Sequence, residues 1–394
     1  MKNRVIENAI NEGNGILKLL PNWIPRTFNK PGKRLRLHPD DYLGLGIERG
    51  FIEERWLSST TNVQLSANGS EDEGLSFINF MGEKASLRDA VDELGRELIG
   101  DYLQKEYGRF PIFSKFYDYY YPSFLHVHHM KEAAEIVGAQ PKPEAYYFPP
   151  QMNNHYGKSP TSFFGFDPTT TKDQIMESLK KYEINDNHIL ELSRGYHLKL
   201  GTGWYTPAGV LHSTGSLCTY EPQWCSDVSQ IWQNVDSNLQ RYDYSFLASY
   251  VPKEKERDLE YIFSIMDWEI NLDPEYRKKY FRPPIIASED GTYIEKWVTY
   301  GTGLFGAKEL TVYPGQTVTI KDQAAYGCVI IQGHGSFGKY AAEAAQMIRI
   351  GQDTADEFFV SEYAALHGVK IVNSSPCEPM VILKHFAKNC GMPE

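Results

Sequence analysis

The sequence has few of the features that mark secreted, membrane-spanning or nucleic-acid-binding proteins. No apolar run in its 394 residues approaches the length of a bilayer span, and the N-terminus lacks the apolar core of a signal peptide. A net charge of −11 disfavours a polyanionic partner. Cysteines are few, odd in number and without C-x-x-C spacing, which argues against a disulfide framework or a zinc ribbon: Cys218, Cys225, Cys328, Cys377 and Cys390. We therefore expect a cytoplasmic protein with neither a membrane nor a nucleic-acid partner.

One basic cluster interrupts this acidic chain. It is RTFNKPGKRLRL, residues 26–37, and proline and glycine break it up. A broken basic run of this kind is typical of a solvated loop that packs on the body of the protein. We expect that role for it.

The pattern of short apolar segments predicts a mainly β protein. Many short strands separated by glycine-rich turns favour barrels or jelly rolls, and the chain is too long for one small core. We expect an N-terminal extension over residues 1–50 and a first barrel with helical insertions over residues 51–250. A helical connection over residues 251–289 and a second, metal-free barrel over residues 290–394 complete the predicted organisation.

Three segments have apolar residues at helical spacing. They are SLRDAVDELGRELIGDYL (86–103), KDQIMESLKKYE (172–183) and KEKERDLEYIFSIMDWEI (253–270). In each, charged residues fill the remaining positions, which is typical of an amphipathic surface helix. These segments predict helices inserted into and between the barrels.

A pair of histidines in FLHVHHM, residues 124–130, indicates a metal site. Side chains alternate along a strand, so His126 and His128 should share one face while His129 points to the other. Two imidazoles on one face of a barrel strand can chelate a metal ion. Taken alone, the H-x-H pair is weak evidence, because two unrelated histidines would look the same.

Two further residues complete a plausible ligand set. Glu144 opens a strand in KPEAYYF, and His212 follows a Pro-Ala-Gly turn in YTPAGVLHSTG. Taken singly, Glu144 could be a surface carboxylate and His212 a core histidine. Three imidazoles and a carboxylate suit one divalent cation, with Zn²⁺ first and Mn²⁺, Fe²⁺ or Ni²⁺ as alternatives. An H-x-H pair, then a glutamate, then a distant histidine is the order in which a cupin barrel delivers ligands to its interior.

Several segments, in the same order, resemble type I phosphomannose isomerases. These are ERWLSS (54–59), FLHVHH (124–129), KPEAYYF (142–148), FFGFDPTTTKDQIMESLKKY (163–182) and YTPAGVLHSTGSLCTYEPQWCSD (205–227). The resemblance covers residues 50–235 well and the last hundred residues loosely. It implies a bicupin fold, two jelly-roll barrels of which one holds the metal. It also implies a metal-dependent intramolecular oxidoreductase that interconverts an aldose and a ketose.

The resemblance assigns roles to particular residues. The metal ligands it implies are His126, His128, Glu144 and His212, and it places Lys142, Glu221 and Asp227 among the catalytic groups. Lys142 is the first candidate for the proton-transferring base, because it lies two residues from Glu144 and can face the same interior. Carbohydrate is the expected small-molecule partner, and a homodimer is compatible with the sequence.

The chain departs from the family pattern at two positions. His126 stands where the family has a glutamine ligand, and Ile231 stands where it has an arginine. An isoleucine cannot hold a phosphate dianion, which needs fixed cations or a helix N-terminus. An unphosphorylated sugar, or a differently modified one, therefore fits better than mannose 6-phosphate.

Other interpretations stay open on the sequence alone. A cupin dioxygenase with Fe²⁺ uses the same ligand types, and the missing arginine is compatible with a non-catalytic sugar-binding or regulatory protein. Several aromatic residues near the motifs could stack on a sugar or simply form barrel core: Tyr146, Trp204, Tyr205, Tyr220 and Trp224.

Overall fold

The computed structural model describes residues 2–63 and 69–394. The β-strands in this part of the chain are, in order, β1 (Ile16–Lys18), β2 (Asn22–Arg26), β3 (Phe51–Leu57), β4 (Phe77–Phe80), β5 (Glu83–Ser86), β6 (Ile112–Tyr117), β7 (His126–Val127), β8 (Glu144–Tyr147), β9 (Thr161–Phe166), β10 (Ser193–His197), β11 (Gly203–Thr206), β12 (Leu211–Ser213), β13 (Thr219–Trp224), β14 (Gln230–Ile231), β15 (Phe281–Arg282), β16 (Ile285–Glu289), β17 (Tyr293–Thr299), β18 (Phe305–Val312), β19 (Thr317–Ile320), β20 (Tyr326–Gln332), β21 (His334–Phe337), β22 (Tyr340–Glu343), β23 (Glu357–Val360), β24 (Val369–Asn373) and β25 (Met380–Ala387). The α-helices are α1 (Lys2–Glu12), α2 (Leu87–Leu94), α3 (Arg96–Glu106), α4 (Lys131–Ile136), α5 (Lys172–Lys180), α6 (Tyr244–Leu247), α7 (Leu259–Ser264), α8 (Trp268–Leu272), α9 (Tyr276–Tyr280) and α10 (Glu362–His367).

The first barrel is built from two antiparallel sheets. A seven-stranded sheet has the order β15-β11-β8-β13-β6-β3-β2, and a five-stranded sheet has the order β10-β9-β12-β7-β14. The two sheets face each other across an interior that holds charged and imidazole side chains as well as aromatic ones. Strands from distant parts of the chain therefore present their side chains to one enclosed space.

The second barrel repeats this arrangement at the C-terminal end. Its larger sheet has the order β1-β23-β20-β25-β18-β17-β16, and its smaller sheet has the order β19-β24-β21-β22. The predicted fold class, mainly β with two jelly-roll barrels and flanking helices, is confirmed. The interior of this barrel carries two buried lysines in contact with two buried carboxylates. Asp322 lies 2.6 Å from Lys384 Nζ and 2.7 Å from Lys308 Nζ, and Glu295 contacts both lysines as well.

The first 50 residues contribute to both barrels. Strand β1 pairs with β23 of the second barrel, and β2 pairs with β3 of the first. Each short strand covers the edge of a sheet, which would otherwise expose unpaired backbone groups. The basic cluster at residues 26–37 also differs from the solvated loop we expected. Arg26 and Arg34 are buried in ion pairs with Glu54 and Asp118, so only part of the cluster faces solvent.

The predicted helices form, but in shorter pieces than the apolar spacing indicates. The segment 86–103 divides at Gly95, whose φ of 49° ends α2 before α3 begins. The segment 253–270 divides into α7 and α8, because Asp258 and Asp267 each accept a hydrogen bond from a backbone N–H and start a new helix. None of the helices in the described residues has the length and apolar composition that a membrane span requires.

The large sheets of the two barrels pack against each other through buried polar contacts. Arg55 on β3 donates to Asp356 at 2.8 and 2.9 Å and to Glu357 at 3.0 Å, both at the start of the second barrel's β23. Tyr147 on β8 donates to Glu309 at 2.6 Å. These contacts hold the first barrel in a fixed position on the second.

One of these interface carboxyls makes stability depend on pH. Burial and the neighbouring Asp356 raise the pKa of Glu357 from 4.5 to about 7, although Arg55 opposes them. The folded state therefore binds this proton more tightly than the unfolded state, and the free energy of unfolding falls as the pH rises from about 5 to 7. Glu357→Gln should remove roughly 1–3 kcal/mol of that pH dependence.

Urea unfolding of the wild type and the Glu357→Gln variant at a series of pH values measures this difference. Glu378→Gln, at an exposed carboxylate of the same barrel, is the control and should follow the wild-type profile. Parallel profiles for the wild type and Glu357→Gln would show that Glu357 is not the responsible group.

Candidate metal centre

Three histidines meet on neighbouring strands of the five-stranded sheet. His126 on β7 lies opposite His212 on β12, and their ring centroids are 4.0 Å apart. His128 follows the end of β7 and lies 4.9 Å from His126 and 5.0 Å from His212 by ring centroid. His129 instead directs Nε2 to the carbonyl oxygen of Tyr250, at 3.1 Å. The alternation predicted from FLHVHHM is confirmed.

Glu144 reaches the histidines from the opposite sheet. It is the first residue of β8, and its Oε2 lies 3.0 Å from His128 Nε2 while its Oε1 lies 2.9 Å from His212 Nε2. One ligand atom from each of His126, His128, Glu144 and His212 falls within 4.8 Å of the others, and all four residues are buried. The predicted ligand set therefore forms a single cluster across the barrel.

The outer nitrogen of each imidazole is held by a backbone carbonyl. His126 Nδ1 lies 3.1 Å from Phe124 O, His128 Nδ1 lies 2.7 Å from Val228 O, and His212 Nδ1 lies 2.8 Å from Val210 O. A carbonyl only accepts, so Nδ1 carries the hydrogen and Nε2 keeps its lone pair free to bind a cation. Metal-binding histidines are commonly oriented in this way. The donor set and its orientation fit a metal ion.

The charge states are also those that metal binding needs. Burial, together with His212 and His128, holds the pKa of His126 well below its usual range, and burial and Lys142 lower the pKa of His128 to about 3. Burial alone would raise the pKa of Glu144, but Lys142, His128 and His212 hold it well below the usual value. Neutral imidazoles and an ionised carboxylate can bind a cation at neutral pH without first releasing protons.

The three residues proposed for catalysis lie around this cluster. Lys142 Nζ is 2.8 Å from Glu144 Oε2 and 3.0 Å from His128 Nε2. Glu221 on β13 is 3.8 Å from Lys142, and Asp227 lines the same cavity. Lys142 stands just before β8 and not on it, yet it faces the same interior as Glu144. All three roles remain proposals, but one cavity brings the three side chains together.

Three charged residues of the cavity were missed by the sequence reasoning. Arg26 on β2, Glu54 on β3 and Lys115 on β6 all line the cavity beside the histidine cluster. The first lay in the basic segment that we expected to be solvated. The only signal for Glu54 was its place in ERWLSS, within the resemblance, and nothing local marked Lys115.

The aromatic residues that line the cavity are not those that the sequence offered as candidates for sugar stacking. Tyr146, Trp204, Tyr205, Tyr220 and Trp224 pack within the hydrophobic clusters of the barrel, and none of them lines the cavity. Their alternative interpretation as core is the correct one, but Tyr146 also donates a hydrogen bond from its hydroxyl to Glu144 Oε1. Phe28, Tyr117, Tyr119 and Phe124 line the cavity instead. Ile231 pairs with His126 on the neighbouring strand and packs against Phe124 and Tyr242.

The opposite orientations of His128 and His129 allow a matched test of the site. His128→Ala should lower the affinity for zinc by at least about a hundredfold, because even the loss of an outer-shell partner costs 10–100-fold. His129→Ala, one residue away, should leave the affinity unchanged. Competition with a chromophoric chelator measures both values. Equal losses in the two variants would contradict the geometry of the site.

No protein-family model and no curated protein sequence matches the chain. Solved structures do match over nearly its whole length. The mannose 6-phosphate isomerase from Bacillus subtilis has 17% identity and a TM-score of 0.60, over 94% of this chain and 99% of that one. A variant of the phosphomannose isomerase from Salmonella typhimurium has 13% identity and a TM-score of 0.64, over 95% and 100%.

A zinc-bound mannose 6-phosphate isomerase is similar to the same extent, with 12% identity and a TM-score of 0.62 over 95% of this chain and 100% of that one. At these identities the similarity lies in the architecture and not in the sequence as a whole. It includes both barrels, because it extends over almost all of both chains. The chain therefore has the bicupin fold of the phosphomannose isomerases.

Proposed function

We propose that this protein is a metal-dependent sugar isomerase that interconverts an aldose and a ketose. One observation carries the proposal: a buried cluster of three histidines and a glutamate has a lysine and a second glutamate beside it, in one cavity. The solved structures of the same fold include mannose 6-phosphate isomerases, one of them zinc-bound, which supports the same chemistry. We propose His126, His128, Glu144 and His212 as ligands of one divalent ion, with zinc first.

The reaction needs no external oxidant or reductant. A proton leaves the carbon next to the carbonyl and is returned to the former carbonyl carbon, while a hydroxyl proton passes to the carbonyl oxygen. A bound divalent ion would supply a Lewis acid that polarises the oxygens on these two carbons. The protein must supply the group that removes and returns the carbon-bound proton.

Lys142 and Glu221 are the groups placed to move protons. Lys142 Nζ lies 2.8 Å from a ligand carboxylate and 3.8 Å from Glu221, so a proton can pass between them over a short path. Burial and the charge of Glu144 raise the pKa of Glu221 to about 8, although Lys115 and Lys142 oppose the shift. Near neutral pH Glu221 therefore holds a proton that it can donate to a sugar oxygen.

Asp227 and Arg26 form the outer part of the same polar wall. Asp227 lies 3.8 Å from the Arg26 guanidinium, which also donates to Glu54. A fixed carboxylate at this position can accept hydrogen bonds from sugar hydroxyls. We propose that Asp227 orients the sugar and does not itself transfer the carbon-bound proton.

Exchange of solvent deuterium into sugars tests the proposed chemistry. The zinc-loaded protein should incorporate deuterium at the carbon next to the carbonyl of at least one aldose or ketose, detected by NMR. Failure with a broad panel of free and phosphorylated sugars would overturn the isomerase proposal. Oxygen uptake by the iron-loaded protein in the presence of substrate would support a dioxygenase instead.

The location of the protein and its assembly are also part of the proposal. All five cysteines are free, and four of them are buried, which fits a reducing compartment. We propose the cytoplasm as that compartment. A homodimer stays a prediction that sedimentation of the metal-loaded protein would test.

A further inference from the structure

Arg26 presents a fixed guanidinium to the cavity beside the histidine cluster. Its Nε and Nη2 donate to Glu54 Oε1 and Oε2 at 2.9 and 3.1 Å, and the arginine is 6% exposed. Glu54 is held in turn, because it accepts from Tyr119 OH at 2.8 Å and from Trp56 Nε1 at 2.8 Å. The orientation of the guanidinium is therefore set before a ligand binds, and little side-chain entropy is lost when it donates to one.

The gap between Arg26 and Asp227 fits one oxygen atom. The contact with Glu54 uses two of the five N–H groups of the guanidinium. Asp227 Oδ1 lies 3.8 Å from Nη2, which is too far for a direct hydrogen bond, and both residues line the cavity. An oxygen atom about 2.9 Å from each of these two atoms can bridge them. A hydroxyl group suits this place, because its oxygen accepts from the arginine while its hydrogen goes to the carboxylate.

This gap is remote from the residues proposed as metal ligands. Arg26 is the last residue of β2, and Glu144 is the first residue of β8. Strands β3, β6 and β13 separate β2 from β8 in the larger sheet of the first barrel. Because neighbouring strands are about 4.8 Å apart, a sugar with its reacting carbons at the proposed metal ion meets Arg26 with its far end.

Phe28 adds an apolar surface at this end of the cavity. Its ring centroid lies 6.0 Å from Arg26 Cζ and 5.1 Å from the ring of Phe124, which it meets edge to face. Both phenylalanines line the cavity. Aromatic rings pack against the C–H groups of a sugar, so this surface beside a fixed donor and a carboxylate suits a carbon chain that carries hydroxyl groups.

We propose that Arg26 determines substrate specificity by binding, together with Asp227, one hydroxyl group on the part of the sugar away from the reacting carbons. Arg26 Nη2 donates to the hydroxyl oxygen, and Asp227 accepts the hydroxyl hydrogen. This role rests on the proposed isomerase function and adds a requirement to it. A sugar without that hydroxyl loses two charge-assisted hydrogen bonds and binds more weakly.

Calorimetry of the zinc-loaded wild type and Arg26→Lys tests this contact. The ligands are mannose, glucose and fructose, their 6-phosphates, and their singly deoxygenated analogues at the carbons beyond the reacting pair. Lysine keeps the charge but not the fixed fork of the guanidinium, so a free sugar that binds should bind roughly 10–100-fold more weakly to the variant. The wild type should lose a comparable factor with one deoxy analogue, and Arg26→Lys should bind that analogue as well as the wild type does. Equal losses for the parent sugar and every analogue would overturn the proposal.

Arg55→Lys is the matched control. Arg55 is also a buried arginine held by carboxylates, but its partners Asp356 and Glu357 belong to the second barrel. The control should lower stability and leave sugar affinity unchanged. In deuterium exchange, Arg26→Lys should raise KM and leave kcat nearly unchanged, because the contact is made in the bound sugar as well as in the transition state. A loss of kcat without a loss of affinity would contradict this role.

A paired variant covers the case in which Arg26→Lys does not fold. Arg26→Gln combined with Glu54→Gln removes both charges of the buried pair and should show the same loss of sugar affinity. If no sugar exchanges deuterium, the isomerase function fails, and the calorimetric comparison alone decides the role of Arg26. Binding of none of the sugars, or a loss confined to the 6-phosphates, would overturn the proposal.

Discussion

Replacing Glu144 with alanine should abolish metal binding. Glu144 is the one carboxylate of the four-residue cluster and comes from the opposite sheet, so its loss leaves three imidazoles on one side of the barrel. Metal that binds only the native state stabilises it by about 4 kcal/mol at a thousandfold excess over Kd. Zinc should therefore raise the free energy of unfolding of the wild type by several kcal/mol and leave that of Glu144→Ala unchanged.

Measuring the free energy of unfolding once with zinc and once with a chelator separates the effect of metal binding from the effect of packing. Glu144→Ala also leaves Lys142 without its nearest carboxylate and lowers stability in both conditions. Glu309→Ala removes a buried carboxylate that contacts Tyr147 at the barrel interface, so it controls for the loss of a buried acid. Its zinc-dependent stabilisation should equal that of the wild type. A zinc-dependent gain in Glu144→Ala as large as in the wild type would place the metal elsewhere.

Replacing Lys142 with methionine should remove catalysis and keep the metal. Methionine preserves much of the side-chain length but cannot carry a proton, and positioned acid–base groups contribute about 10²–10⁴-fold to rates. Deuterium exchange should fall by that factor. Metal affinity should not decrease, because the lost positive charge lies beside the ligand carboxylate.

A second variant distinguishes Lys142 from Glu221 as the base. Glu221→Gln retains the contacts of the neutral carboxyl group but cannot donate its proton, so a lower rate at neutral pH together with loss of the wild-type decline at alkaline pH would identify Glu221 as a proton donor. Exchange within threefold of the wild type in Lys142→Met, with metal bound, would exclude Lys142 from proton transfer.

The cluster of three histidines and a glutamate could be predicted because its signals are local. Strand alternation in FLHVHHM separates His126 and His128 from His129, and the structure places them on opposite sides as expected. The Pro-Ala-Gly turn before His212 and the strand that begins at Glu144 likewise mark their own positions. These local signals, together with the order of the segments along the chain, were enough to predict the set of four residues.

The charged wall of the cavity could not be predicted in the same way. Arg26, Glu54 and Lys115 lie on β2, β3 and β6, which antiparallel pairing brings side by side although the residues are far apart in sequence. No local spacing shows that Arg26 in a basic segment will be buried against Glu54. The sequence could not show which aromatic residues line the cavity for a related reason, since a strand's pattern does not show which of its faces reaches the cavity.

The patterns of strands and turns in the sequence predict the two barrels, but they do not predict which strands form the edges of the sheets. Nothing in residues 16–26 indicates that two short strands of the N-terminal segment will complete sheets in different barrels. Such pairing is decided by which sheet edge lies open in the assembled fold. The limits of the predicted domains therefore remain predictions even though the fold class is confirmed.

We propose that His126, His128, Glu144 and His212 hold one divalent ion. X-ray absorption spectroscopy of the protein with one equivalent of zinc tests it most directly, with elemental analysis to establish the content. We predict one zinc per chain, with nitrogen and oxygen neighbours near 2.0–2.2 Å and the multiple-scattering pattern of three imidazoles. A zinc bound through sulfur near 2.3 Å, fewer than three imidazoles, or no retained metal would rule out this ligand set.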